Sequence, residues 1–280
     1  MKVHFEEKTY ESYFNNELDS KSSVYFPPGQ VLEGLLGFDA AANSKNRALW
    51  RHVGHPYWFY PHFSGVNLQD IAQELEEDFE RISQSVPSIK TNLLFQYKRP
   101  SYITKANGKE WSHWNKKYYR YQIYEEQHKL LSKIDEAFGD MALVLYASPA
   151  INNLDDLVEC KLQNKIIENS NFTKASELNN HSRNTYINSG TFSIACSEPE
   201  RLESINLLYQ LEASNTVNEL NNKKFLLNTK DIITEHMAHS KPFKRLMNEH
   251  EDLQEYSIIY TFLTMKAFRE TTGVQWLLSI

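Results

Sequence analysis

Gln96, Tyr97 and Lys98 place an amide and an amine inside the apolar run Leu93-Leu94-Phe95-Gln96-Tyr97-Lys98-Arg99-Pro100. In a β-strand, residues two apart share a face, so the run predicts Gln96 and Lys98 together on one side and Phe95 and Tyr97 on the other. A polar pair of this kind is costly inside a core unless hydrogen bonds, a metal ion or a ligand satisfy it. A strand at a sheet edge with one solvated face would also place Gln and Lys in this way. The two placements call for different chemistry, ligand binding in one case and mere solvation in the other.

Upstream, Pro27-Pro28-Gly29-Gln30-Val31-Leu32-Glu33-Gly34-Leu35-Leu36-Gly37-Phe38-Asp39-Ala40 supplies two carboxylates. A Pro near the first turn and the spacing of Val31, Leu32, Leu35 and Leu36 predict a short helix that ends near Gly37, with Glu33 at the edge of its buried face. Asp39 follows in a short apolar segment that can open a strand. Downstream, Leu130, Leu131, Ile134 and Phe138 fall at helical spacing over Glu125 to Phe138, and Met141 to Ala147 reads as a buried strand ended by Ser148-Pro149. This succession, a helix with Glu33, then Asp39, a Gln-x-Lys strand, a helix and a strand, resembles the PD-(D/E)xK nuclease superfamily. That superfamily's core runs helix, three strands, helix, strand, and in several of its branches Gln replaces the second acidic residue.

The resemblance spans residues 28 to 150. It implies an α/β fold with a restriction-endonuclease-like core, a mixed central sheet flanked by helices. It also implies roles: Asp39 as metal-binding Asp, Gln96 at the second ligand position, Lys98 as catalytic Lys and Glu33 as the helical Glu. No Pro precedes Asp39, and the 57 positions from Asp39 to Gln96 require an inserted segment at about 41–90. The implied function is a metal-dependent nuclease that hydrolyses phosphodiester bonds, with DNA the leading substrate, as the effector of a bacterial antiphage defence or restriction system. The alternative is a catalytically inactive nucleic-acid-binding or protein-interaction subunit of the same fold.

Phosphodiester hydrolysis explains why these residue types are wanted. A divalent cation neutralises charge developing on the phosphate and lowers the pKa of the attacking water. Mg²⁺, or Mn²⁺, takes oxygen ligands and keeps several waters, so Asp39, the Gln96 side-chain carbonyl, the Tyr97 backbone carbonyl and Glu33 through water form the implied set. Lys98 would hold the nucleophilic water or stabilise the oxyanion.

The formal charge of −6 argues against an affinity for nucleic acid, but its distribution argues for one. From Lys98 to Arg120, Lys98, Arg99, Lys105, Lys109, Lys116, Lys117 and Arg120 face one acidic residue, Glu110, a local balance of +6 that leaves −12 elsewhere. Tyr97, Tyr102, Trp111, Trp114, Tyr118, Tyr119 and Tyr121 interleave with these cations, a pattern suited to stacking bases while pairing phosphates. Nucleic-acid contacts are accordingly expected from Arg99, Lys105, Lys109, Lys116, Lys117 and Arg120. The plain alternative is a set of loops whose aromatics pack on the core. Ala40 to Gln69 is a second acid-free, aromatic-rich stretch with Lys45, Arg47 and Arg51.

At 280 residues and 41% hydrophobic, the chain can bury a sizeable core. The expected organisation is an α/β core over residues 1–150 and a mixed, then mainly helical region over 151–280, suited to packing, homo-oligomerisation or docking an activating second protein. No apolar run is long enough to span a membrane, the N-terminus lacks a signal peptide, and Cys160 and Cys196 fit a reducing cytoplasm. Residues 67 to 84 predict a helix with a stripe of Leu68, Ile71, Ala72, Leu75, Phe79 and Ile82 and a solvated acidic face from Asp70 to Glu80. His52, His55 and His62 lack a completing Cys or carboxylate for zinc. Phosphate-loop, GxGxxG and GxSxG motifs are absent. The stretch from Ile151 to Glu200 offers no chemistry, and helices are expected from Glu198 onward.

Overall fold

The computed structural model describes residues 2–22, 25–26, 68–85, 87–213 and 221–279. Glu33, Asp39, the acid-free stretch up to Asn67 and the three histidines within it lie outside the described residues. In chain order the first elements are α1 (Glu7–Lys21), β1 (Tyr25–Phe26), α2 (Leu68–Ser85), β2 (Thr91–Tyr97), β3 (Ser101–Ile103), α3 (Trp111–Trp114), β4 (Tyr118–Gln122), α4 (Glu125–Phe138) and β5 (Ala142–Pro149). There follow α5 (Leu154–Leu162), β6 (Ser170–Lys174), β7 (Arg183–Tyr186), β8 (Phe192–Cys196), β9 (Glu200–Glu203), α6 (Leu207–Ala213), α7 (Asn222–His236), α8 (Lys241–Asn248), α9 (Ser257–Thr272) and β10 (Gln275–Ser279). The protein is mixed α/β, with two sheets and flanking helices. Among the described residues no helix is long and apolar enough to cross a membrane.

The chain divides into two compact units, one of Met1–Tyr25, Lys90–Val217 and Ser279, the other of Phe26–Ile89, Asn218–Leu278 and Ile280. The expected break near residue 150 is therefore displaced. Residues 151–217 stay with the first unit because β6 pairs with β5 and β7 pairs with β4, so that this stretch supplies strands to both sheets.

In the first unit, β2 and β5 run parallel, joined by a crossover that includes α4, and β6 is antiparallel to β5. All seven residues of β2 are buried, as a strand covered on both faces requires. One face rests on α1, where Phe14 lies 5.3 Å from Phe95 and 5.4 Å from Tyr97, and Tyr10 lies 5.8 Å from Tyr97. The other face meets α4, which buries His128, Leu131, Ile134 and Phe138. The second sheet, in the order β3-β4-β7-β8-β9, is antiparallel throughout. Its Tyr121 ring stacks on Tyr146 of β5, 5.9 Å away and 7° from parallel.

The helical reading expected over Leu202 to Leu211 is corrected at its start. Glu200–Glu203 form β9, paired with β8 through Ser193 opposite Leu202, and the helix begins only at Leu207. Leu202 is buried between exposed Arg201 and Glu203, an alternation that strand pairing exploits over any helical propensity.

In the second unit, α2 buries Ala72, Leu75 and Phe79, with Phe79 edge-on to Phe262 of α9 at 5.2 Å. Its acidic face is not simply solvated, contrary to expectation. The Glu76 carboxylate accepts from Ser257 Oγ and from the Ile258 and Ile259 amides at 2.9–3.0 Å, supplying the first turn of α9 with the acceptor its free N–H groups need. Glu80 pairs with Lys223 of α7 at 3.0 Å.

Candidate functional site

Gln96 and Lys98 are 5% and 6% exposed, so the solvated-edge placement does not apply. Strand alternation puts both on the face opposite α1, as the sequence predicts. Gln96 lies opposite Tyr146 of β5, which in turn lies opposite Thr173 of β6, while Ser148 lies opposite Asn171. Side chains directly across a ladder share a face, so one side of this buried sheet carries an amide, an amine and a row of hydroxyls and amides.

Lys98 donates from Nζ to Gln127 Oε1 at 3.2 Å. The same nitrogen lies 5.0 Å from the Tyr124 ring centroid and 5.4 Å from that of Tyr146. Among the described residues no carboxylate comes within ion-pair distance of it. Burial lowers the pKa of its amine to about 8, with Glu7 pulling weakly the other way.

His128 extends this arrangement, its Nδ1 3.1 Å from the Tyr146 hydroxyl and its Nε2 3.5 Å from Ser132 Oγ, which donates to Asn179 Oδ1 at 2.8 Å. Burial pulls the imidazole pKa down, and the charges of Lys98 and His181 lower it further against hydrogen bonds to Asn179 and Leu178.

Among the described residues two polar atoms on this face have no partner, Gln96 Oε1 and Asn171 Nδ2. The Gln96 amide instead donates from Nε2 to the Tyr97 carbonyl at 3.0 Å. Around them the network is tight. Ser148 Oγ donates to the Lys98 carbonyl at 3.1 Å and accepts from Tyr186 Oη at 2.7 Å, while Asn184 Nδ2 donates to Tyr121 Oη and Thr173 Oγ1. Burial pushes the Tyr121 hydroxyl up to about 12, so it remains neutral. Buried polar atoms are satisfied almost everywhere in folded proteins, so the partnerless Gln96 Oε1 on the face that also carries Lys98 is an exception, one that Gln275 Oε1 of β10 shares.

Of the residues expected to act together, the structure brings Gln96, Tyr97 and Lys98 to one place; Asp39 and Glu33 lie outside the described residues. Gln127, Tyr124, His128 and Tyr146 join the site from α4 and β5. Sequence reasoning missed Tyr146, Ser148, Asn171, Thr173 and Asn184. The period-two placement of Asn171 and Thr173 around Phe172 was the available signal.

The basic segment divides. Arg99 bonds Glu6 at 2.8 Å and the Val3 carbonyl, and Arg120 joins Glu110 at 3.1 Å, so both are committed to the fold. Lys105, Lys109, Lys116 and Lys117 are exposed. Most of the interleaved aromatics are interior: Trp114, Tyr118, Tyr119 and Tyr121 are buried, and Trp114 stacks on Phe192 at 5.3 Å while donating to Thr185 Oγ1. Tyr102 and Trp111 are half-buried.

Comparison with known proteins finds no family model, no curated protein and no solved structure that matches this chain.

Proposed function

We propose that this chain is a metal-dependent nuclease with a restriction-endonuclease-like core, hydrolysing phosphodiester bonds of nucleic acid, with DNA the leading substrate. Its setting would be the cytoplasm, as the effector of a bacterial antiphage defence or restriction system that a second protein activates or delivers. One observation carries this reading: Lys98 is an enclosed amine with no carboxylate partner among the described residues, its pKa lowered to about 8, on the same strand face as the unpartnered carbonyl of Gln96. A buried ammonium answered by one amide oxygen and two ring faces costs stability, which a lysine kept only for packing would avoid. The order of Gln-x-Lys strand, helix and parallel strand in β2, α4 and β5 is also the order of that superfamily's core.

The residues present suit a hard cation. Gln96 Oε1 has no hydrogen-bond partner, and a half-turn of its amide exchanges Oε1 with Nε2, bringing two oxygens side by side at the Tyr97 carbonyl, where a cation would relieve their repulsion. Asp39 and Glu33 would complete the oxygen set. Among the described residues no group of three or more His, Cys, Asp or Glu is placed to hold a metal. When bound, Mg²⁺ or Mn²⁺ would neutralise charge on the phosphate and lower the pKa of the attacking water.

Lys98 does the rest from this chain. Below pH 8 it is largely an ammonium, able to hold the attacking water or to offset charge on the oxyanion from a site without bulk water, where such an interaction is strong. Gln127 fixes the amine's position and Tyr146 backs it.

The test is cleavage of linear duplex, plasmid and single-stranded DNA and of RNA in Mg²⁺, Mn²⁺ and EDTA, by wild type, Asp39→Ala and Lys98→Ala. Cutting that needs metal and is lost in both variants is the expected result. Cutting that survives Lys98→Ala would remove the assignment, and a wild type inert on every substrate, with and without a cognate partner, would remove the activity.

A further inference from the structure

Lys98 belongs to a column of aromatic rings that stops at the surface. Innermost, Tyr121 and Tyr146 lie parallel within 7° at 5.9 Å. Lys98 Nζ comes next, 5.4 Å from the Tyr146 centroid, and Tyr124 closes the column, 5.0 Å from the same nitrogen. Tyr146 is 1% exposed, whereas Tyr124 is 66% exposed. Among the described residues no other ring packs against Tyr124. Its backbone is fixed, because Tyr124 is the N-cap of α4 and its carbonyl accepts from the His128 amide at 2.9 Å. A large aromatic surface is thus exposed to solvent 5.0 Å from Lys98 Nζ, on an anchored backbone.

The charges beside it offer no strong phosphate handle. Glu125 and Glu126 are exposed in the next turn and share Lys129 at 2.6 and 3.6 Å, so with Lys98 counted the charges around Tyr124 balance. Phosphate attraction therefore supplies little of the affinity there. A duplex keeps its base faces covered by their neighbours. An unpaired base offers a free π-face, and stacking on an aromatic side chain needs no phosphate contact.

Resting on the nuclease reading of the same site, we propose that Tyr124 is a stacking platform for an unpaired nucleobase, and that the substrate is single-stranded nucleic acid or a single-stranded segment of it. A base laid on the outer face of Tyr124 extends the ring column by one member and brings its strand beside Lys98.

The experiment is anisotropy of a labelled oligo(dT) and of a blunt duplex of equal length, in EDTA, with wild type, Tyr124→Ala and Tyr124→Phe. Tyr124→Ala should weaken single-strand binding by roughly 5- to 150-fold, leave duplex binding unchanged, and be rescued by Tyr124→Phe, which keeps the ring. Equal effects on both ligands, no effect on either, or a wild type that binds no single strand would overturn the platform. Cleavage separates this outcome from the parent reading. Metal-dependent cutting lost in Lys98→Ala but unaltered in Tyr124→Ala would discard the platform and keep the nuclease. Single-strand binding that depends on Tyr124 in a chain that never cuts would do the reverse.

Discussion

Among the charged side chains buried in the first unit, Glu110 and Lys98 are treated in opposite ways. Glu110, 2% exposed, accepts from Arg183 Nε at 2.7 Å and from Arg120 Nη1 and Tyr118 Oη at 3.1 Å. Burial would raise its carboxyl pKa, but the bonds from Arg120 and Tyr118 and the charges of both arginines outweigh it and hold the group below its usual range. Those partners come from β4 and β7, so the carboxylate ties two strands to the start of α3. Lys98 has one amide acceptor and two ring faces in place of counter-charges, and burial wins. A charge that is fully answered serves the fold; one left unanswered costs stability and is kept for chemistry.

The contrast breaks most visibly at Glu110. Glu110→Ala leaves two guanidinium groups without their acceptor and should cost about 3 kcal/mol, lowering the melting temperature by roughly 6–12 °C. Lys98→Met should act in the opposite direction, raising stability at pH 7 by about 3 kcal/mol, because moving the amine from 10.5 to about 8 is a penalty of that size. The sign has a pH signature. Below pH 8 both folded and unfolded chains hold the proton and the penalty is full; between 8 and 10.5 only the unfolded chain still holds it, so wild-type stability climbs and the gap closes. Urea melts of both proteins at pH 7 and pH 10 measure the gap. A Lys98→Met protein less stable than wild type, or a gap indifferent to pH, would show that the amine is answered by a counter-charge after all.

That contrast was only half legible in the sequence. The period-two register of Gln96 and Lys98 against Phe95 and Tyr97 follows from local geometry, and so does α4, whose Leu131, Ile134 and Phe138 repeat at helical spacing and are buried as expected. Whether the strand was an edge or an interior one was not legible, because the α1 residues that cover it, Tyr10 and Phe14, are some eighty positions away and nothing local names them. For the same reason Arg99 and Arg120 read as surface cations, since their partners Glu6 and Glu110 are identified only by the folded chain. Asn171 and Thr173 looked like loop polarity. It is the ladder pairing of β6 with β5 that turns them into part of the site.

Gln127 tests the amine's one polar tie. Gln127→Leu removes the acceptor from Lys98 Nζ, which disfavours the ammonium further; stability at pH 7 should fall by about 1 to 2 kcal/mol. The fall in cleavage rate expected above pH 8 should move to lower pH. An unmoved inflection would assign that titration to another group.

The smallest effects separate the answered from the unanswered cations on the surface. Lys105, Lys109, Lys116 and Lys117 are exposed, and among the described residues none forms an ion pair, so each change to Ala should alter stability by no more than about 0.5 kcal/mol. If the segment meets phosphates, each should also lower the slope of log affinity against log salt by about 1. Arg99→Ala and Arg120→Ala should leave that slope unchanged while costing stability, because their charges are already spent on Glu6 and Glu110. A slope that falls as much for Arg99→Ala as for Lys116→Ala would mean that the Glu6 pair opens when nucleic acid arrives, and Arg99 would then belong with the free lysines rather than with the fold.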